Sequence, residues 1–523
     1  MKERSFSGQL RKTALYMVFA LIVIVGNCDI ITEITISQVN VIENQSLADM
    51  FSRHTVTGIT TPLPQTPDVP GFVGAAYITV GDIDGDVIKE IICTSGTGQN
   101  GDMTADDGAV ALFTWDGYDI DTWNMSVLDS TFAFPNETVL HDMDDDGDLD
   151  IMVMDNFLLP SFSAGIYYLE NKGGAISETS NWEKQAIFVG DDTPVGQSAY
   201  HRAIFLDIDG DDREDFITSK VCMSCWMESE RYMWMEWFKK EETGFSGPYE
   251  IGDGGGFLFT VGDVDSDGDL DVIAPQFFIM RPGTLTIKGS KESPDPHGDS
   301  IVWFENPGAS GSGNLWNRYT IDNWYTSQNP TGRGFDTLMA DIDKDGVDEL
   351  LFGSHNHQDY RPRGSYDTRI WPSGIFLFEI PNDPKRTENW LSITFDAGDP
   401  DLDPYDVEAV AADIYAVDRS GTPFSEGSPG PVSVEDVDGD GAPDLVVSGD
   451  GKGILYYYQN NSVSGAAVNY MRATLYHDPI SMPADSEIVD IDGDGDKDIV
   501  VGIWDTSVNK DKTSSSIFIF RQK

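Results

Sequence analysis

The sequence predicts an all-β fold, a seven-bladed β-propeller with four antiparallel strands per blade and the last blade completed by the N-terminal strand. Three observations carry this reading. An acidic nonapeptide recurs seven times in one register. Each copy lies between short apolar, β-branched segments that read as strands. Long helical periodicity is missing, while 52 Gly and 26 Pro punctuate the chain.

The nonapeptides read DIDGDVIKE, DMDDDGDLD, DIDGDDRED, DVDSDGDLD, DIDKDGVDE, DVDGDGAPD and DIDGDGDKD. Positions one, three and five are Asp in every copy, and position nine is Asp or Glu. The residues so placed are Asp82, Asp84, Asp86 and Glu90; Asp142, Asp144, Asp146 and Asp150; Asp207, Asp209, Asp211 and Asp215; Asp263, Asp265, Asp267 and Asp271; Asp341, Asp343, Asp345 and Glu349; Asp436, Asp438, Asp440 and Asp444; and Asp490, Asp492, Asp494 and Asp498. Solvated acidic turns do not hold one register through seven copies. Carboxylates at this spacing can converge on a hard cation, and glycine at position six, as at Gly495, permits the sharp turn. The peptide carbonyl at position seven is a further donor. Calcium is expected over magnesium, because many oxygens sit on a flexible loop, and over zinc, because no His or Cys takes part. About seven structural Ca2+ ions follow. An EF-hand is excluded: its bidentate Glu at position twelve is replaced by Cys93, Val153, Thr218, Ala274, Phe352, Val447 and Val501.

The surroundings of each loop repeat too. A first strand precedes it, as at Ala76–Val80, Phe257–Val261 and Val432–Val434. A second follows, as at Asp271–Ala274 and Leu445–Ser448. Third strands are expected at Gly165–Glu170, Ile301–Glu305, Gly374–Glu379, Gly453–Tyr458 and Ser516–Phe520, and fourth strands at Trp182–Val189, Trp316–Ile321 and Trp390–Phe395. Four strands in a repeat of roughly 50 to 95 residues make a propeller blade. The seventh repeat stops after its third strand, whereas Phe51–Thr57 is a spare strand similar to Trp316–Ile321. The N-terminal strand should therefore complete the last blade and remove its open edge.

With these residues in view, the chain resembles the FG-GAP/VCBS-type calcium propellers, the group that includes integrin α-subunit heads. The resemblance covers roughly residues 46–523. It implies one Ca2+ in the hairpin between the first and second strands of each blade. Activity stays open, because the group mixes adhesion heads, lectin-like modules and some carbohydrate lyases and dehydratases.

The formal charge of −56 excludes nucleic acid as a partner. The seven loops hold 35 of the 89 acidic residues, and seven divalent ions would bring −56 only to −42, so an acid-rich surface carries the rest. Lys2, Arg4, Arg11 and Lys12 precede an apolar run from Ala14 to Val25. This reads as a secretory signal over residues 1–28, with lipidation of Cys28 as the alternative. The run is shorter than the about 20 residues of a membrane span. A secreted or cell-surface location is the expectation. Four cysteines make no disulfide scaffold, and Cys222-Met-Ser-Cys225 reads as a local disulfide. Residues 29–45 form an extended lead-in. Its β-like part, Ile30–Val41, either lies on the propeller or adds to an edge of a neighbouring molecule. Sequons at Asn44, Asn124, Asn136 and Asn460 allow glycosylation.

Alternating strand direction places all seven acidic loops on one face. The long connections Pro275–Ser300, Ser354–Ser373 and Gly398–Pro431 fall on the other, with Cys222–Cys225. Between Ser354 and Ser373 lie His355, His357, Tyr360, Arg361, Arg363, Tyr366, Arg369 and Trp371, the candidates for an anion or sugar site and for catalysis. Arg suits a carboxylate, aromatic rings a sugar face, and His a base or metal ligand. The plainer alternative is a surface loop whose Arg residues pair with neighbouring acids. His355 and His357 would hold zinc only with a third ligand such as His297 or His201. Met223, Met227, Met233 and Met235 invite a copper reading, but Arg231–Phe238 falls at a third strand, where Met and Trp serve packing. The expected function is a binding or adhesion module for glycan or protein, more a binder than an enzyme. The alternatives are a polysaccharide lyase or dehydratase-like enzyme, and a structural subunit of an extracellular filament or surface layer joined through Ile30–Val41.

Overall fold

Segments such as Ile91–Cys93, Ile151–Met154 and Leu445–Val447 are apolar on both faces, a pattern that only a strand covered on both sides tolerates. In the computed structural model they are second strands of seven sheets, each built on four antiparallel strands. The structure describes residues 36, 38–56, 75–95, 108–155, 165–190, 199–221, 233–277, 298–308, 315–323, 326–327, 331–332, 334–355, 373–397, 429–449, 453–463, 468–478, 481–505 and 516–523.

Blade one comprises Ala75–Gly81, Glu90–Ser95, Gly108–Trp115 and Trp123–Phe132. Blade two comprises Thr138–His141, Asp150–Asp155, Gly165–Asn171 and Trp182–Val189, and blade three Ala199–Leu206, Asp215–Val221, Met233–Lys240 and Phe245–Asp253. Blade four follows with Thr260–Gly262, Asp271–Pro275, Asp299–Glu305 and Asn317–Asn323, and blade five with Gly334–Ala340, Glu349–Ser354, Gly374–Phe378 and Ser392–Ala397. Blade six is Val432–Glu435, Asp444–Gly449, Ile454–Asn460 and Val468–His477. Blade seven takes Ser481–Val489, Asp498–Asp505 and Ser516–Gln522 from the end of the chain and Phe51–Val56 from its beginning. That last strand pairs antiparallel from Phe51 opposite Gln522 to Val56 opposite Ile517, so the N-terminal strand closes the ring.

The core lies between blades. Seven hydrophobic clusters occupy the seven blade–blade contacts, for example Ile92, Val110, Ile151 and Val153 between blades one and two. Another holds Val56, Ile91, Val500 and Ile519 between blades seven and one. Met235 and Trp237 belong to such a cluster, which makes the third strand of blade three part of the packing. Two boundaries differ from expectation. The fourth strands of blades four and five start just after Trp316 and Trp390, whose buried rings anchor the chain before the strand begins. The first strand of blade four starts at Thr260, because Phe257 enters an aromatic cluster and Leu258 bridges to Asp336 of blade five.

The first strands line the centre of the ring, where their outward N–H groups would be an open edge. Carboxylates from the preceding blade cover several of them. Asp485 accepts from Ile78 N–H at 3.2 Å, Glu487 from Val80 N–H at 3.1 Å, and Asp336 from Val432 N–H at 2.8 Å. Arg202 sits among these acids. It donates to Glu137 at 2.9 Å and to the Phe259 carbonyl at 3.2 Å, and lies 3.9 Å from Asp336.

Val39–Glu43 adds a fifth strand to blade six, parallel to Val468–Arg472. Ile36 and Val39 are buried in the cluster between blades five and six, so this part of the lead-in lies on its own propeller. Residues 30–35 lie outside the described residues. Two sequons are corrected. Asn136 and Asn460 are buried and donate to the carbonyls of Tyr200 and Ile342, so neither presents an acceptor on the folded surface, whereas Asn124 is exposed.

Candidate metal centres

Each acidic loop joins a first strand to a second, so the loops occupy the same end of every blade. Their backbone is fixed by their own carboxylates. The position-one Oδ1 accepts the position-five N–H at 2.9–3.1 Å in all seven copies. Its Oδ2 accepts the position-six N–H at 2.8–3.1 Å, again in all seven. Position six has a positive φ throughout, including Val87 at 81° and Asp212 at 65°, where the other five loops carry Gly. Position four is also left-handed, held by Gly or by Asp145, Ser266 and Lys344. Loops one to five thus have glycine at one of the two turning positions, and loops six and seven at both.

The structure brings the expected ligands together. Oxygen atoms of Asp82, Asp84 and Glu90 lie within 4.8 Å of one another. So do those of Asp142, Asp144 and Asp146; of Asp207, Asp209 and Asp215; of Asp263, Asp265 and Asp271; and of Asp341, Asp343 and Glu349. These clusters can hold metal ions. The fit is chemical as well as geometric: every donor is a hard oxygen, and Asp209 Oδ1 and Asp265 Oδ1 are buried with no hydrogen-bond partner.

Position nine does more than the spacing suggested. In every copy it accepts the position-two N–H, at 2.8–3.3 Å. Where it is Asp, its other oxygen accepts an N–H from the end of the third strand at 2.7–2.8 Å. Burial pushes Glu349 up to about 8, Glu90, Asp271, Asp444 and Asp498 to about 7, and Asp150 and Asp215 to about 6. A divalent ion in the loop would favour the charged form.

Position two is the functional residue that the carboxylate pattern hid. Ile83, Met143, Ile208, Val264, Ile342, Val437 and Ile491 are all buried, each in the cluster facing the next blade. The visible signal was that this position is always apolar. Loop geometry and blade packing are therefore joined at adjacent residues.

At the opposite ends of blades three to five, buried His201 and His355 join an aromatic cluster. His201 lies 4.2 Å from the ring of Phe257, and His355 lies 5.5 Å from Phe277 and 4.9 Å from Phe335, centroid to centroid. Burial lowers the His201 imidazole to about 3, aided by Arg202. His357, Tyr360, Arg361, Arg363, Tyr366, Arg369, Trp371, His297, Met223, Met227, Cys222 and Cys225 lie outside the described residues, as do most of the long connections. Cys93 is free and buried.

No curated protein sequence matches the chain. Among solved structures, it is similar to BBS1N in complex with ARL6DN, at 9% identity and TM-score 0.43, over 90% of this chain and 95% of that one. The exotype rhamnogalacturonan lyase YesX shows 13% identity and TM-score 0.43, over 90% and 76%. The Penicillium chrysogenum α-L-arabinanase complexed with arabinobiose shows 10% and 0.41, over 90% and 98%. Likenesses this distant carry no argument about activity. Residues 436–501, spanning the sixth and seventh acidic loops, match the family model of the FG-GAP-like repeat, and with the seven blades this supports a propeller of FG-GAP type.

Proposed function

We propose that the chain is a secreted or cell-surface binding module, a propeller braced by Ca2+ on one face that takes a glycan or protein ligand on the other. The observation that carries this reading is the division of labour between the two ends of each blade. At one end, seven near-identical loops gather oxygen donors that suit calcium and lock onto the blade contacts. At the other end the connections are long and unequal in sequence, and His201, Phe257, Phe335 and His355 cluster at that end of blades three to five. Invariant ends build a scaffold, and variable ends are where recognition is placed.

Glycan and protein arrays probed with the purified chain, in calcium and in EGTA, test this. A specific ligand should appear, its binding should weaken on chelation, and Phe335→Ala should reduce it while the calcium-dependent melt remains. Blank arrays together with cleavage of uronic-acid polymers by the same preparation would replace the binder with an enzyme.

A further inference from the structure

One blade position changes charge around the ring while its surroundings stay constant. It is the residue after the third-strand partner of loop position ten, the first residue past the nonapeptide. Phe238 pairs with Phe216, Phe304 with Val272, Tyr458 with Leu445 and Phe520 with Ile499, so the position is Lys239, Glu305, Gln459 and Arg521 in blades three, four, six and seven. By the same register it is Thr114 in blade one, Glu170 in blade two and Glu379 in blade five.

Where this position is basic, it reaches the metal loop. Lys239 donates to Asp209 Oδ2 and, at 2.9 Å, to Asp211 Oδ2. Arg521 pairs with Asp492 Oδ2 and, at 2.9 Å, with Asp494 Oδ2. In blade four a lysine of the next blade supplies the charge: Lys385 bridges Glu305 at 2.6 Å and Asp265 Oδ2 at 2.9 Å. Each cation takes the same Oδ2 of the position-three carboxylate. In blades three and four the other oxygen is left buried without a hydrogen bond. In the other five loops, loop seven included, it accepts the position-five N–H at 3.1–3.3 Å. Among the described residues, no basic side chain pairs with the position-one, three, five or nine carboxylates of loops one, two and five. In loop two, Lys240 pairs with the position-four Asp145. Glu170 adds a further negative charge beside Asp144.

We propose that a basic side chain on the position-three carboxylate, supplied by this position in blades three and seven and by Lys385 in blade four, sorts the metal sites into two classes, an inference that rests on the calcium reading above. The loops of blades three, four and seven carry their own cation, keep their shape without an ion, and bind calcium weakly. The loops of blades one, two and five have none on their ligand carboxylates, depend on the ion, and bind it tightly. Blade six lies between, with the neutral Gln459 on Asp438 Oδ2 and Lys344 4.0 Å from Asp440. A fixed positive charge about 6 Å from a divalent ion lowers affinity roughly tenfold even at the dielectric constant of water. Lys239, Lys385 and Arg521 are thus positioning residues that set a filling order.

Isothermal titration of calcium into the EGTA-treated full chain tests this, wild type against K239Q/K385Q/R521Q. The wild type should titrate in two phases, with three sites about tenfold weaker than the tight class. In the triple variant those three should join the tight class, and the melting temperature in EGTA should fall, because the loops lose their internal cation. A single class in the wild type, or an unchanged weak phase in the variant, overturns the sorting while leaving calcium binding intact. Absence of any binding overturns the calcium reading itself. Should the triple variant not fold, K239Q should tighten one site and K239R none; equal behaviour of these two also overturns the proposal.

Discussion

The metal loops and the centre of the ring use one chemical device to opposite ends. Both consist of carboxylates that accept backbone N–H groups. In a loop, four acids of a single nonapeptide wrap their own backbone and crowd into a common space. At the centre, Asp336 stands on the first strand of blade five and Asp485 and Glu487 on that of blade seven, and each caps the inner edge of the next blade with one carboxylate per N–H. Crowded acids call for a divalent ion. Dispersed ones are served by one guanidinium, that of Arg202, and by protons: burial pushes Asp336 and Asp485 up to about 7 and Glu487 to about 8. On the calcium proposal, the crowded acids would be neutralised by metal and the central ones by a guanidinium and protons.

The strongest way to break this contrast is to remove the metal. With calcium at about 100 times its Kd, each site contributes about 2.7 kcal/mol, so excess EGTA should lower the Tm on the order of 10 °C. An unchanged melt would end the metal reading of the loops. Arg202→Met attacks the centre instead. It leaves Glu137 and Asp336 without their countercharge and should cost about 3–5 kcal/mol in urea unfolding, with or without calcium. Ile342→Ala tests the joint between loop and blade contact. A loss of about 2–4 kcal/mol is expected, together with weaker calcium binding; a loss of stability with calcium affinity intact would uncouple the two.

The pH dependence of the metal-free protein reads both regions, because burial raises the position-nine acids and the central acids alike, and the central share is isolated by substitution. The central carboxylates have folded pKa values above their unfolded ones, so the folded, metal-free protein binds more protons between about pH 4 and 8. Its stability should therefore fall as pH rises from 5 to 8, and Asp485→Asn with Glu487→Gln should flatten that slope. A metal-free melt that climbs over this range would contradict the assignment. The smallest effect is local to loop one, where Val87 occupies a left-handed conformation that its β-branched side chain resists. Val87→Gly should add about 1 kcal/mol, whereas Gly495→Val in loop seven should remove at least as much.

The contrast also explains what the sequence made legible. Crowded acids have a fixed spacing, and seven copies turned that spacing into a fold, a strand order and a ligand set. Ring closure was legible because blade seven lacks a strand and Phe51–Thr57 supplies one. Asp336, Asp485 and Arg202 were not, because a lone charge on a strand has no period, and its partner belongs to another blade. The same holds for Lys239 and Arg521, whose role appears only when third strands are set in register with the loops. Position two could have been read from its unbroken run of Ile, Met and Val beside the aspartates. Asn136 and Asn460 failed as sequons for the converse reason, since a tripeptide carries no information about burial.

Closure of the ring through Phe51–Val56 also imposes a timetable. The partner of Phe51 is Gln522, so the strand that seals blade seven emerges early and must wait for nearly the whole chain. At about 5–20 residues per second, synthesis of the intervening segment takes roughly 25 to 95 s. Throughout that interval the spare strand is unpaired and blade one lacks its neighbour on one side, while the middle blades can stack as they appear. The last association to form joins the two most distant parts of the chain, and the finished ring is then held shut by a contact that no partly made chain can contain.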